Sequence, residues 1–161
     1  MDEAAVHIAA QTLCGANAHD AGRALLAQLY RQITECDLPA IAIADRGKPY
    51  FPGSNWHFSI SHTSAHVFCA LSDRPIGIDA EETDRAIRLQ LADKILSPAE
   101  RLQYDAAPDK SRALLTFWVL KEAAAKCSGE GLRGYPNHTN FSLTDPRVTE
   151  REGCLLAVIT E

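Results

Sequence analysis

Ile76-Gly77-Ile78-Asp79-Ala80-Glu81 is the stretch on which the reading of this chain turns. Side chains of a β-strand alternate between the two faces of its sheet. On such a strand Ile76, Ile78 and Ala80 share one face and can pack inward, while Asp79 and Glu81 project together from the other. Two neighbouring carboxylates repel, and they need a cation, a shared proton or full solvation. A solvated strand end meets that need as well as a bound ion does, so the pair alone leaves both open.

Working outward, Phe58-Ser59-Ile60-Ser61-His62 alternates in the same way, and Val67–Leu71 is a second apolar run. With Ile76–Glu81 these predict three short strands in an antiparallel meander, broken by the turn Ser72-Asp73-Arg74-Pro75. A β-like run at Ala40–Ala44 leads into a turn at Asp45-Arg46-Gly47-Lys48-Pro49. A helix is expected after Asp20 as N-cap, with Leu25, Leu26, Leu29, Tyr30 and Ile33 on one face. Ser97-Pro98-Ala99-Glu100 has the form of a capping box with proline at the first helical position. A longer helix should run from about Asp109 to Cys127 and stop at Ser128-Gly129. Phe141–Leu143 and Leu155–Ile159 are expected as closing strands. Strands with segregated helices predict an α+β fold. The turn at Ser72–Pro75 divides a lobe at 1–74 from a lobe at 75–161, with no flexible linker.

The 161 residues carry 21 acids against 16 Lys and Arg, a formal net charge of −5. That balance argues against a nucleic-acid binder but leaves room for a local basic pocket. The five cysteines contain no C-x-x-C pair and are odd in number, which points to buried free thiols in a reducing compartment. No apolar run approaches the ~20 residues that span a bilayer. Met1-Asp2-Glu3 lacks the basic start of a secretory signal. The expectation is a cytoplasmic protein with no membrane or nucleic-acid partner. His62 and His66 are four apart, but they fall in a strand-turn region, so a helical zinc pair is rejected.

A third acid lies in Trp118-Val119-Leu120-Lys121-Glu122-Ala123-Ala124-Ala125-Lys126. Glu122 and Lys126 are four apart and share a helix face. Alone they fit an ordinary surface ion pair. They follow directly on Phe117–Leu120, however, so one side of this helix is expected to be buried. If the helix crosses the strand and brings Glu122 to Asp79 and Glu81, three carboxylates with waters and ligand phosphates suit Mg²⁺, with Mn²⁺ possible in its place. Lysines on the same helix would then face the phosphates. Such a site requires a phosphate-bearing substrate.

Together these segments resemble the 4′-phosphopantetheinyl transferases, in particular the larger type that serves peptide and polyketide synthetases, known from the surfactin system. The family pattern G-I-D-x-E is matched at Gly77–Glu81. Its W-x-x-K-E-A/S-x-x-K is matched at Trp118–Lys126, and its G-x-G-L at Gly129-Glu130-Gly131-Leu132. Gly47-Lys48-Pro49 resembles the family's G-K-P turn, Phe58–Thr63 its F-N-I-S-H-S strand, and Arg23-Ala24-Leu25-Leu26 its R-x-L-L helix. The resemblance implies a pseudo-dimer of two small α+β lobes with coenzyme A in the cleft between them; a pseudo-dimer already supplies both walls of that cleft, so a monomer is expected. Asp79, Glu81 and Glu122 would hold Mg²⁺. Lys126, with Lys121, would neutralise the phosphates. Ser61 and His62 would contact coenzyme A phosphates, Arg23 the 3′-phosphate, and Lys48 and Pro49 the adenine end. The catalytic set would be Glu122, Asp79 and Lys126, and the partner an apo acyl or peptidyl carrier protein whose serine is modified. The residues before Arg23 contain no Lys or Arg, a departure from the larger type, whose basic residues there grip the 3′-phosphate. Two other classes share these residues: a metal-dependent phosphohydrolase, and a non-catalytic module that binds coenzyme A or a carrier.

Overall fold

The computed structural model describes residues 5–132 and 138–161; the Met1–Glu3 start lies outside them. Two three-stranded antiparallel sheets form its centre. The first contains β1 (Val6–Thr12), β4 (His57–His62) and β5 (His66–Ser72), in the order β1-β5-β4. The second contains β6 (Ile76–Glu82), β7 (Val148–Arg151) and β8 (Cys154–Thr160), in the order β6-β8-β7. A small hairpin pairs β2 (Ala42–Ile43) with β3 (Pro49–Tyr50).

Alternation along the central strands builds three cores. On β5, Val67, Cys69 and Leu71 face helix α1 (Ala18–Thr34), where they meet Leu25, Leu26 and Leu29. Phe68 and Ala70 of the same strand face the second sheet and pack on Ile76, Ile78, Ala80 and Leu156. On β8, Leu155, Ala157 and Ile159 turn outward to helix α4 (Lys110–Ser128), against Leu115, Val119 and Ala123. The layers therefore run helix, sheet, sheet, helix. Both strand faces are buried, as the apolar runs at Val67–Leu71 and Leu155–Ile159 require.

The expected meander is corrected here. β4 and β5 do form a hairpin, but β6 pairs with β8, not with β5. The Ser72–Pro75 turn carries the chain from one sheet to the other. Phe141–Leu143 is not a strand: the Phe141 and Leu143 N–H groups donate to the side chains of Glu100 and Gln103 on α3 (Pro98–Ala106). β1 and β7 were not expected.

The helix signals are largely local and appear where the residues place them. Ser97 and Glu100 form a reciprocal capping box at the start of α3. Asp109 caps α4, and Gly129 ends it in the left-handed conformation. α1 is capped by Asn17, whose side chain accepts from the Asp20 N–H, so Asp20 sits inside the first turn. Cys69, Cys127 and Cys154 are buried free thiols, whereas Cys14 and Cys36 are exposed. Among the described residues no helix is long and apolar enough to cross a membrane.

Candidate functional site

Gly77 sets the distance between α4 and β6. A Cβ built there would lie 1.9 Å from the Ala123 carbonyl oxygen and 2.4 Å from the Cys127 nitrogen. Only glycine lets the helix backbone rest on the strand. The same face of β6 then presents Asp79 and Glu81 to α4. Trp118, Glu122 and Lys126 recur at i, i+4 and i+8, on one face of that helix. Lys126 Nζ donates to Asp79 Oδ1 at 2.7 Å and to the Ile78 carbonyl at 3.1 Å. Trp118 Nε1 donates to Glu81 Oε1 at 3.1 Å, and Arg85 also holds that carboxylate.

Glu122 and Asp79 both feel the charge of neighbouring acids. Burial pushes the Glu122 carboxyl above its usual range, and the charges of Asp79 and Glu81 push it further against the opposing pull of Lys126 and Arg85. Burial likewise raises Asp79; Lys126 pulls it back and Glu81 adds to the rise. Among the described residues Asp79 Oδ2 is buried with no hydrogen-bond partner. Among the described residues no group of three or more His, Cys, Asp or Glu is gathered as a ready-made metal cluster. The contacts account for this: Lys126 and Ser61 hold Asp79, while Trp118 and Arg85 hold Glu81.

A raised native pKa has a definite consequence for stability. The native carboxyl keeps its proton to higher pH than the unfolded one, so its contribution is greatest at low pH and is lost as pH rises through the native value. Glu122→Gln removes this loss. In divalent-free buffer its melting temperature should match wild type near pH ~4, the ordinary carboxylate range, and exceed it by a few degrees at pH ~8. Calorimetric scans at the two pH values check this; equal temperatures at both would contradict it.

Beside the acids lies a cleft of about 420 Å³. Its α4 wall carries Glu122 and Lys126. The opposite wall carries His19 and Arg23 from α1, Arg46, Lys48 and Pro49 from the hairpin, and Phe58 and His62 from β4. So basic a cavity in a chain of net charge −5 is a local concentration of positive charge that suits an anionic ligand. Of the expected site residues, Arg23, Lys48, Pro49, His62, Glu122 and Lys126 line this cleft, while Asp79 is buried directly behind Lys126. His19 and Arg46 were not expected. His19 stands one turn before Arg23, so helical spacing carried a signal for it; Arg46 had only its place in the turn.

Two expected phosphate contacts, Ser61 and Lys121, lie outside the lining of this cleft. Ser61 is buried and does not line the cleft. Its hydroxyl accepts the Ala80 N–H at 3.1 Å and donates to Asp79 Oδ1 at 3.2 Å, and Ser59 accepts the Ile78 N–H at 3.0 Å. β6 is an edge strand, and these two serines supply the acceptors that a neighbouring strand would have given. Lys121 is also turned away from the cleft. Its side chain is 1% exposed, and its ammonium lies 2.8 Å from Glu100, whose side chain is fully buried. Glu100 also accepts the Ser97 and Phe141 N–H groups, and Lys121 donates to the Thr139 carbonyl. This pair ties α3, α4 and the 139–141 segment together. Lys121→Met should cost about 3 kcal/mol, because Glu100 would be left charged and buried. Urea unfolding checks this; a midpoint within error of wild type would refute the buried pairing.

The comparisons with known proteins meet this geometry. The family model of the 4′-phosphopantetheinyl transferase superfamily matches residues 75–156, which contain β6, α4 and all three acids. The chain belongs to this superfamily. It is similar to the 4′-phosphopantetheinyl transferase Sfp of Bacillus subtilis (strain 168), 34% identical over 114 residues that cover 68% of this chain and 49% of that protein. The 4′-phosphopantetheinyl transferase gsp of Aneurinibacillus migulanus is 33% identical over 125 residues, covering 72% and 52%. Enterobactin synthase component D of Escherichia coli O157:H7 is 34% identical over 112 residues, covering 68% and 53%. The chain spans about half the length of the curated relatives it matches. In this superfamily member the glycine of the G-I-D-x-E segment is thus the contact that brings helix and strand together, and the two acids beside it face Glu122 and Lys126.

Proposed function

We propose that this chain transfers the 4′-phosphopantetheine arm of coenzyme A to a serine of an apo acyl or peptidyl carrier protein and releases 3′,5′-ADP. The observation that carries this is the basic cleft bounded by Glu122 and Lys126, with Asp79 buried behind them, in a member of the transferase superfamily. Both sheets have the order first strand, third strand, second strand, with a helix between the first and second. That symmetry supports a pseudo-dimer of two small α+β lobes, 1–74 and 75–161, with the active site in the cleft between them. The relatives named Sfp and gsp support the larger, surfactin-type branch.

The donor set fits a hard divalent ion. Asp79, Glu81 and Glu122 offer carboxylate oxygens, Asp79 Oδ2 is buried without a partner among the described residues, and neighbouring acid charges raise the proton affinity of Glu122 and of Asp79. These three residues would hold Mg²⁺, or Mn²⁺, which when bound supplies Lewis-acid stabilisation of charge on the pyrophosphate.

Lys126 faces the cleft and stabilises negative charge on the transferring phosphate. His62, Arg23, Lys48 and Pro49 orient coenzyme A along the opposite wall. The carrier serine oxygen forms a new bond to the pantetheine-bearing phosphorus. The P–O bond to 3′,5′-ADP breaks, and its electron pair leaves on the ADP phosphate. Glu122, raised by burial and by its acid neighbours, takes the serine proton directly or through water. No covalent enzyme intermediate forms.

Incubation with coenzyme A, Mg²⁺ and several apo carriers, followed by mass measurement of the carriers, tests the proposal. A phosphopantetheine mass gain is expected. Release of 3′,5′-ADP without any carrier would instead indicate a phosphohydrolase, and binding without transfer a non-catalytic module.

A further inference from the structure

Four cationic side chains line the cleft, and they are not equivalent. Lys126 is paired with Asp79. Lys48 donates to the Cys127 carbonyl, where it closes the C-terminal end of α4, and burial lowers its pKa. Gly129, which ends that helix, packs on the Lys48 stem, since a Cβ there would lie 3.1 Å from it. Lys48 is thus committed to joining the hairpin to α4. Arg23 and Arg46 differ. Arg23 lies over the Phe58 ring, 5.9 Å from its centroid. Arg46 is exposed two residues before Lys48, in the same turn. Neither arginine has a carboxylate partner among the described residues, although acids outnumber bases in the chain. Two unneutralised guanidinium groups, from different elements, therefore face one cavity.

Coenzyme A carries two separate anionic groups, a pyrophosphate and a phosphomonoester on the ribose. With the pyrophosphate against the α4 wall, the phosphomonoester is the anion left for the α1–hairpin wall. A guanidinium fork matches such a group bidentately, as an ammonium cannot. We propose that Arg46, rather than Lys48, is the phosphate-binding residue of the hairpin turn, and that with Arg23 it forms a clamp selecting nucleotides that carry the ribose phosphomonoester. This rests on the coenzyme A reading of the cleft and adds a specificity-determining residue to it.

Calorimetric titration of coenzyme A and of 3′-dephospho-coenzyme A into wild type, Arg46→Gln and Arg46→Lys tests this, with no carrier present. Arg46 is exposed in a turn, so both variants should fold. Arg46→Gln should weaken coenzyme A binding about tenfold and dephospho-coenzyme A binding by less than about twofold, the difference of one charge-assisted contact. Arg46→Lys should recover part of the loss. The proposal is overturned if Arg46→Gln binds coenzyme A as tightly as wild type, or loses both nucleotides equally. It is also overturned if wild type does not discriminate between them. A wild-type chain that discriminates through Arg46 yet loads no carrier supports the clamp and refutes the transferase reading instead.

Discussion

Gly77→Val should leave the protein unable to fold to a stable native state. Ordinary overpacking costs about 1–3 kcal/mol, because side chains can shift aside. At Gly77 the obstacles are the Ala123 carbonyl and the Cys127 nitrogen, both backbone atoms of a regular helix. They cannot yield unless α4 lifts from β6. That movement would open the apolar contacts of Leu115, Val119, Ala123 and Cys127 with the second sheet. A loss of more than about 4 kcal/mol is expected, a large part of the usual 5–15 kcal/mol of a whole domain. Gly22→Ala provides the contrast. A Cβ there meets the Ile60 Cγ2 at 2.9 Å, a side-chain methyl and not helix backbone, so a small shift relieves the contact, and the gain in helix propensity offsets that cost. Its stability should stay close to wild type. Circular dichroism melts of the two variants check both statements; a cooperative, near-native melt for Gly77→Val would refute the close approach.

Glu122→Gln should have the largest effect on activity, at least about a hundredfold in transfer rate, the scale on which one preorganised charge-stabilising group is lost. The substitution keeps the shape of the side chain, so the fold should persist. In divalent-free buffer the variant should even be the more stable protein near neutral pH, because a carboxylate repelled by Asp79 and Glu81 has been neutralised. A loss of activity joined to a gain in stability separates a functional role from a structural one. Quantifying modified carrier by mass over a time course reads the first half of the statement.

The strand and helix that carry the site were legible because their signals are local. Alternation placed Asp79 and Glu81 on one face, and helical spacing placed Glu122 with Lys126. The sheet topology was less legible. β6 looks like the third strand of a meander because it follows β5 after a short turn, yet its partner β8 lies at the far end of the chain, and pairing over such a distance leaves no local mark. β1 was hidden by its alanines, which have little preference for strands, and β7 by its short, exposed Val148–Arg151. The roles of Ser61 and Lys121 were hidden for another reason. Their types fit phosphate contacts, but burial redirects them, Ser61 to the open edge of β6 and Lys121 to Glu100. Lys48 sits at the cleft, yet its ammonium closes the end of α4.

The proposed transfer depends on Asp79, Glu81 and Glu122 gathering around one divalent ion beside a pyrophosphate. The most direct measurement is the ³¹P spectrum of bound coenzyme A titrated with Mn²⁺. The pyrophosphate resonances should broaden strongly with wild type, and this enhancement should disappear with Glu122→Gln. Pyrophosphate signals that stay sharp with wild type, or that broaden equally in the variant, would contradict the account.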